Sequence, residues 1–135
     1  MKVERGVLAA IDAHARRDAP NECCGLLLGR DGDIVEAVPT SNAAAEPWRH
    51  YEIAPDDHFA VLRRCRNERD GLGVVGGYHS HPRSHPVPSP TDLEQAFEEF
   101  IYLIAGPVDG SAELAINAYR LRAGKFEPVT FSAGD

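Results

Sequence analysis

Apolar positions along this chain recur at two different periods, and the alternation between them sets the order of its elements. Val3, Val7, Leu8, Ile11 and Ala15 lie three or four residues apart, which predicts an amphipathic helix over 4–18, stopped by Pro20. Residues 23–29 (CCGLLLG) form an apolar run closed by glycine, the pattern of a buried strand, with Cys23 and Cys24 facing opposite sides. Arg30-Asp31-Gly32-Asp33 predicts a hairpin turn, returning as a strand over 34–38. After a loop over 41–47 a further strand is expected over 48–53, with Trp48 and Tyr51 in its core. Pro55 opens a second helix over 55–69 that turns Phe59, Leu62 and Cys65 inward and breaks at 71–73. A strand over 74–81 follows, then a proline-rich loop over 82–90, a short helix over 92–97 and a buried strand over 100–105. The chain closes as a hairpin, 113–121 with 126–131, turning at Ala123-Gly124. Helices and strands mixed in this order predict one α/β domain over 1–135, layered around a single sheet.

Composition narrows the functions such a domain could have. A chain of 135 residues buries roughly two thirds of its unfolded surface, enough to hold a preorganised site without disulfides. The net charge is −7, whereas nucleic-acid binders gain most of their affinity by neutralising phosphates. Arg16-Arg17, Arg63-Arg64 and Arg66 are interleaved with acids on helical segments, which is a solvated helix face, so no nucleic-acid partner is expected. No apolar run reaches the ~20 residues that span a bilayer. Residues 1–18 carry Glu4, Arg5, Asp12, Arg16 and Arg17 where a signal peptide would be apolar, so no membrane partner and a cytoplasmic location are expected. Cys23, Cys24 and Cys65 are odd in number and form no CxxC, which sets aside a disulfide framework.

His79-Ser80-His81-Pro82, followed by Ser89-Pro90-Thr91-Asp92, adds chemistry to this outline. Two histidines two apart on a strand share a face, with α-carbons roughly 7 Å apart. Asp92 opens a helix after a loop that can fold back, and two imidazoles plus one carboxylate leave the fourth position of a tetrahedral zinc open, as in catalytic sites. Amide hydrolysis also needs a base to carry a proton from water to the leaving amine, for which Glu22, just ahead of the strand at 23–29, is the candidate. The developing oxyanion needs a donor, and the Ser89 hydroxyl is the candidate. Taken singly, each residue has an ordinary reading: a strand histidine packs in a core, and Ser89-Pro90-x-Asp92 is a helix start with a capping box. Their conjunction is rarer, since a shuffled chain of this composition shows HxHx7SxxD roughly once in a thousand tries. His85 sits four residues past His81 on a loop, where that spacing has no meaning, and reads as a solvated rim residue; His14, His50 and His58 have no metal-like spacing.

This motif, with the upstream glutamate in Pro20-Asn21-Glu22-Cys23-Cys24-Gly25-Leu26-Leu27-Leu28-Gly29, resembles the JAMM (MPN-plus) metalloprotease family, with every motif position present from Glu22 to Asp92. The resemblance implies a curved mixed sheet flanked by helices, related to the cytidine-deaminase-like architecture. It implies one zinc held by His79, His81 and Asp92, with Glu22 as general base and Ser89 stabilising the tetrahedral intermediate; the choice of Glu22 over other acids leans on it. Family members hydrolyse amide or isopeptide bonds at the C-terminus of ubiquitin-like proteins. This chain has little room for the insertions of the polyubiquitin-selective members, because the strand at 100–105 follows Leu93 closely. It therefore resembles the compact prokaryotic members, which act on ubiquitin-like sulfur-carrier proteins and release an amino acid such as cysteine or trim an extension. A Gly-Gly-like tail is expected to add along an exposed strand edge near Gly76 and Gly77. The alternatives are a non-catalytic MPN scaffold, which typically lacks a ligand, and a JAMM hydrolase acting on an unrelated peptide. A zinc deaminase would need HxE…PCxxC, which does not occur.

Overall fold

Leu26, Leu27 and Leu28 put apolar side chains on both faces of one strand, so that strand can only lie inside a layered structure. The computed structural model describes residues 1–68, 70–109 and 113–135. Its elements begin β1 (Lys2–Glu4), α1 (Arg5–Asp18), β2 (Cys24–Arg30), β3 (Asp33–Thr40) and α2 (Pro55–Asn67). They continue β4 (Gly73–Ser80), α3 (Pro90–Glu94), β5 (Ile101–Pro107), β6 (Leu114–Arg122), β7 (Lys125–Val129) and β8 (Ser132–Gly134). The strands form one mixed sheet in the order β7-β6-β5-β4-β2-β3-β1-β8, parallel at β4/β5, β1/β3 and β1/β8. The α/β expectation, a mixed sheet flanked by helices, holds.

The two faces of β2 make two cores. Leu27 and Cys23 join Tyr78, Leu103 and the Val7–Ile11–Ala15 stripe of α1. Leu26 and Leu28 face the other way, against Val61 of α2 and Leu72. Each fully buried leucine or isoleucine contributes about 1.5–3 kcal/mol. Cys23 and Cys24 thus face opposite sides as expected, and all three cysteines are free thiols. Both hairpin turns fall where the sequence places them, with left-handed Asp31-Gly32 (φ 55 and 85°) and Ala123-Gly124 (φ 52 and 74°).

Several expectations need correction. Residues 48–53 are not a strand: Trp48 lies in a turn, 48% exposed, and only Ile53 makes a bridge, to Asn42. Helix α2 packs through Val61, with Cys65 one turn on, while Phe59 and Leu62 face solvent at 60% and 44% exposure. Its expected last residue, Arg69, lies outside the described residues. Helix α3 begins at Pro90 and ends at Glu94, short of the 92–97 expected. Strands β1 and β8 were not anticipated, since three residues are too few to show a period.

Gly76 and Gly77 lie on no strand edge, because β4 is paired on both sides, by β2 and by β5. The sheet's outer strands are β7 and β8. The glycine at 76 serves the fold instead. A Cβ there would collide with the backbone carbonyl oxygen of Ile101 across the β4/β5 pair. Gly76→Ala is expected to destabilise by about 1–3 kcal/mol, the usual scale of overpacking, read as a lowered urea midpoint.

His14 is buried on α1, its Nε2 at 3.1 Å from Asp18 Oδ2 and its Nδ1 at 2.7 Å from the Tyr78 hydroxyl. The ring donates to Asp18 through Nε2–H and accepts from Tyr78 at Nδ1, which makes it the neutral tautomer. Burial lowers its pKa below the ordinary 6.5, opposed by the Asp18 charge and reinforced by Arg17. The unfolded chain therefore takes up this proton first as pH falls. The stability contributed is complete above 6.5 and declines as pH drops below it. Urea midpoints from pH 7.5 to 5.5 are expected to fall less steeply in His14→Gln than in the wild-type protein.

Candidate metal centre

The metal-type residues converge because of how β2 and β4 pair. Cys24 lies opposite His79, so Glu22, two residues before it, leaves the strand end near His81. Ser80 points to the opposite face, where its Oγ accepts from the Cys23 amide at 2.8 Å and ties the two strands together. His81 follows directly after β4 and its amide donates to the Ala105 carbonyl at 2.7 Å, which prolongs the sheet by one residue. Asp92 arrives from α3, whose start is a capping box: Asp92 N donates to Ser89 Oγ (3.1 Å) and Ser89 N to Asp92 Oδ2 (2.9 Å).

Three atoms meet. His79 Nε2 and His81 Nε2 are 3.2 Å apart, and Asp92 Oδ2 is 3.0 and 3.1 Å from them. The tautomers are informative here. His81 Nδ1 lies 2.9 Å from the His85 carbonyl, so Nδ1 carries the proton and the neutral ring turns a lone pair at Nε2 towards Asp92. Three ligand-type atoms this close to one another fit around a single cation. A tetrahedral ion with bonds of about 2.0–2.1 Å to nitrogen and oxygen has ligand–ligand edges of roughly 3.3–3.4 Å. The observed triangle is close to one face of that tetrahedron, and among the described residues the group holds three ligand atoms and no fourth. The donor set therefore fits a small divalent cation with an open position.

All three side chains are buried, and the pocket shapes their ionisation. Burial holds the His79 pKa below its ordinary value, opposed by Asp92. For His81 burial acts the same way but is outweighed by the Asp92 and His85 hydrogen bonds, so its pKa is raised. Burial alone would raise Asp92, yet the two histidines drive it well below the carboxylate range.

Glu22 is only 7% exposed, and its Oε1 makes no hydrogen bond among the described residues. Burial raises its pKa to about 7, with His81 pulling it down and Asp92 pushing it up. Its backbone is pinned on both sides: Glu22 N donates to the Pro47 carbonyl (2.8 Å) and Glu22 O accepts from Asn42 Nδ2 (3.0 Å). Ser89 Oγ accepts in the cap, and a hydroxyl that accepts still has its own proton to donate.

Two further residues shape the site without any motif to announce them. The Tyr51 ring, buried, stacks on His79 with centroids 4.3 Å apart and fixes that imidazole's plane. Asn42 makes four bonds, donating to the Glu22 and His50 carbonyls and accepting from the Ala44 and Glu52 amides. His85, expected on the rim, has an exposed side chain bonded to Asp109 at 3.0 Å.

Comparison with known proteins shows the family. Residues 4–122 match the family model for prokaryotic homologues of the JAB domain. The chain belongs to this JAB-domain family. Among its relatives, a desampylase of Haloferax volcanii is 44% identical over 106 residues, covering 73% of this chain and 74% of that one. A probable TtuB-protein conjugate cleaving protease of Thermus thermophilus is 36% identical, over 77% of this chain and 68% of its own. A CysO-cysteine peptidase of Mycobacterium tuberculosis is 32% identical over 131 residues, 94% of this chain and 88% of that one. A solution structure from Desulfitobacterium hafniense superposes with a TM-score of 0.84 at 26% identity, covering 99% of this chain and 92% of that one. A structure described as a metalloprotease-like zinc site of the proteasome and signalosome gives 0.61 at 25% identity, covering 100% and 98%. The relatives named here are a desampylase, a conjugate-cleaving protease and a peptidase. Among the described residues no helix is long and apolar enough to cross a membrane.

Proposed function

We propose that this JAB-domain protein is a zinc-dependent peptidase that hydrolyses an amide or isopeptide bond at the C-terminus of a ubiquitin-like or sulfur-carrier protein. The reaction either releases an amino acid such as cysteine or cleaves a conjugate. The observation that carries this reading is the 3.0–3.2 Å triangle of His79, His81 and Asp92 beside the buried Glu22, whose Oε1 has no partner among the described residues. His79, His81 and Asp92 would hold the zinc, which when bound acts as a Lewis acid and brings the pKa of water towards about 7.

The chain's own groups do the rest. Glu22 takes a proton from the attacking water and delivers it to the leaving amine, a role that suits a carboxylate buried close to neutrality. Ser89 donates a hydrogen bond from its hydroxyl to the carbonyl oxygen as negative charge develops there. Tyr51 keeps the His79 ring from turning, and Asn42 keeps Glu22 in place. We read residues 1–135 as one catalytic unit. Three free cysteines suit a reducing compartment, and we place the protein in the cytoplasm.

The substrate class is supported by the relatives named for desampylation, TtuB-conjugate cleavage and CysO-cysteine hydrolysis. The test is a ubiquitin-like carrier bearing a C-terminal cysteine or an isopeptide-linked lysine, incubated with zinc-loaded protein and followed by intact mass. Loss of the appended group, abolished by a chelator, is the expected result. An unchanged carrier alongside hydrolysis of unrelated peptides would move the activity to a different substrate.

A further inference from the structure

The proline-rich loop, residues 82–90, supplies no group to the chemistry above before Ser89, yet two strands are built to grip it. The Pro86 carbonyl accepts from the Tyr119 hydroxyl at 2.8 Å and from Asn117 Nδ2 at 3.2 Å. Tyr119 and Asn117 sit two apart on β6, on the same face of the sheet. On the neighbouring β5, a Cβ on Gly106 would stand 2.6 Å from the Ser84 carbonyl oxygen and 2.9 Å from Pro86 N. Only glycine lets the loop backbone lie this close. Between the gripped residues is the His85 carbonyl, 2.9 Å from His81 Nδ1. The His85 side chain points elsewhere, to Asp109, and is exposed.

We propose that Tyr119, Asn117 and Gly106 are positioning residues of the metal centre. By clamping Ser84 to Pro86, they hold the His85 carbonyl where it fixes His81 as the Nδ1–H tautomer with Nε2 towards the ion. This rests on the reading of His81 as a zinc ligand. A neutral imidazole has one proton for two nitrogens, and the acceptor at one decides which is left to bind metal. If the loop drifts, the ring loses both its tautomer preference and its orientation. The same drift loosens the chain just ahead of Ser89 and Asp92.

The consequence runs against inspection of the sequence. The conspicuous histidine of this loop matters through its backbone alone, and a tyrosine more than thirty residues later matters through its hydroxyl.

The experiment measures the zinc dissociation constant of the intact protein by competition with a chromophoric chelator. The urea midpoint of each metal-free variant is measured in parallel. Tyr119→Phe keeps the ring and removes the donor, and is expected to weaken zinc binding about tenfold or more, the scale for lost partners of metal-bound histidines. Asn117→Asp, at an exposed position, should shift affinity in the same direction by less, and it decides the matter if Tyr119→Phe does not fold. His85→Ala keeps the carbonyl and should bind zinc as the wild-type protein does.

Wild-type affinity in both Tyr119→Phe and Asn117→Asp would overturn the proposal, as would weakening that merely follows loss of folded protein. A His85→Ala loss as large as that of Tyr119→Phe would overturn the backbone assignment. A wild-type protein that binds no zinc would instead strike at the ligand assignment, and this inference would fall with it.

Discussion

Replacing His81 by Ala is expected to abolish zinc retention and hydrolysis together. His81 supplies one of three atoms in a triangle whose edges are 3.0–3.2 Å, so its removal leaves two protein ligands where an open catalytic site needs three. The loss should exceed the roughly 10–100-fold that follows loss of a ligand's hydrogen-bond partner. Chelator competition reads the affinity and intact mass of the carrier reads the activity. A His81→Ala protein that kept wild-type zinc affinity would mean that the ion, if there is one, is held elsewhere.

Glu22→Gln is expected to separate what His81→Ala joins. Glutamine has nearly the size of glutamate, but its amide cannot take up the proton of the attacking water. General acid–base catalysis contributes about 10²–10⁴-fold, and turnover should fall by that amount. Zinc affinity should persist, because Glu22 lies outside the triangle. Burial already presses Glu22 towards its neutral form, so loss of the charge leaves no buried ion without a partner. Normal hydrolysis by Glu22→Gln would assign the base to another residue.

The site was more legible in the sequence than the loops around it, for physical reasons. A strand alternates its side chains, so HSH sends both histidines to one face and the serine to the other, where Ser80 bonds the Cys23 amide. The serine–proline–x–aspartate run encodes its own local structure, a capping box, and so Asp92 is positioned by neighbours three residues away.

Tyr51 was harder to place. It reads as a strand former, yet residues 43–52 escape a strand because Asn42 supplies hydrogen bonds that a ladder partner would otherwise provide. Nothing in the spacing of one asparagine announces four bonds. Helix α2 starts at Pro55 as its sequence predicts but turns a different face to the sheet. Phe59 and Leu62 are more apolar than the turn that packs, and what the sheet offers there, Leu26 and Leu28, engages Val61 instead. The neighbour of Gly76 is Ile101 of the adjoining strand, where the sequence suggests an added tail.

The most direct measurement of the central claim is an anomalous-difference map at the zinc absorption edge, from crystals of protein purified without added metal. The expected result is one peak per chain, capping the triangle of His79 Nε2, His81 Nε2 and Asp92 Oδ2 on the side of Glu22. Its bonds should be about 2.0–2.2 Å long, with no sulfur among the ligands. A zinc peak bound elsewhere, or none after soaking in zinc, would contradict the assignment of this site as the centre of a zinc peptidase.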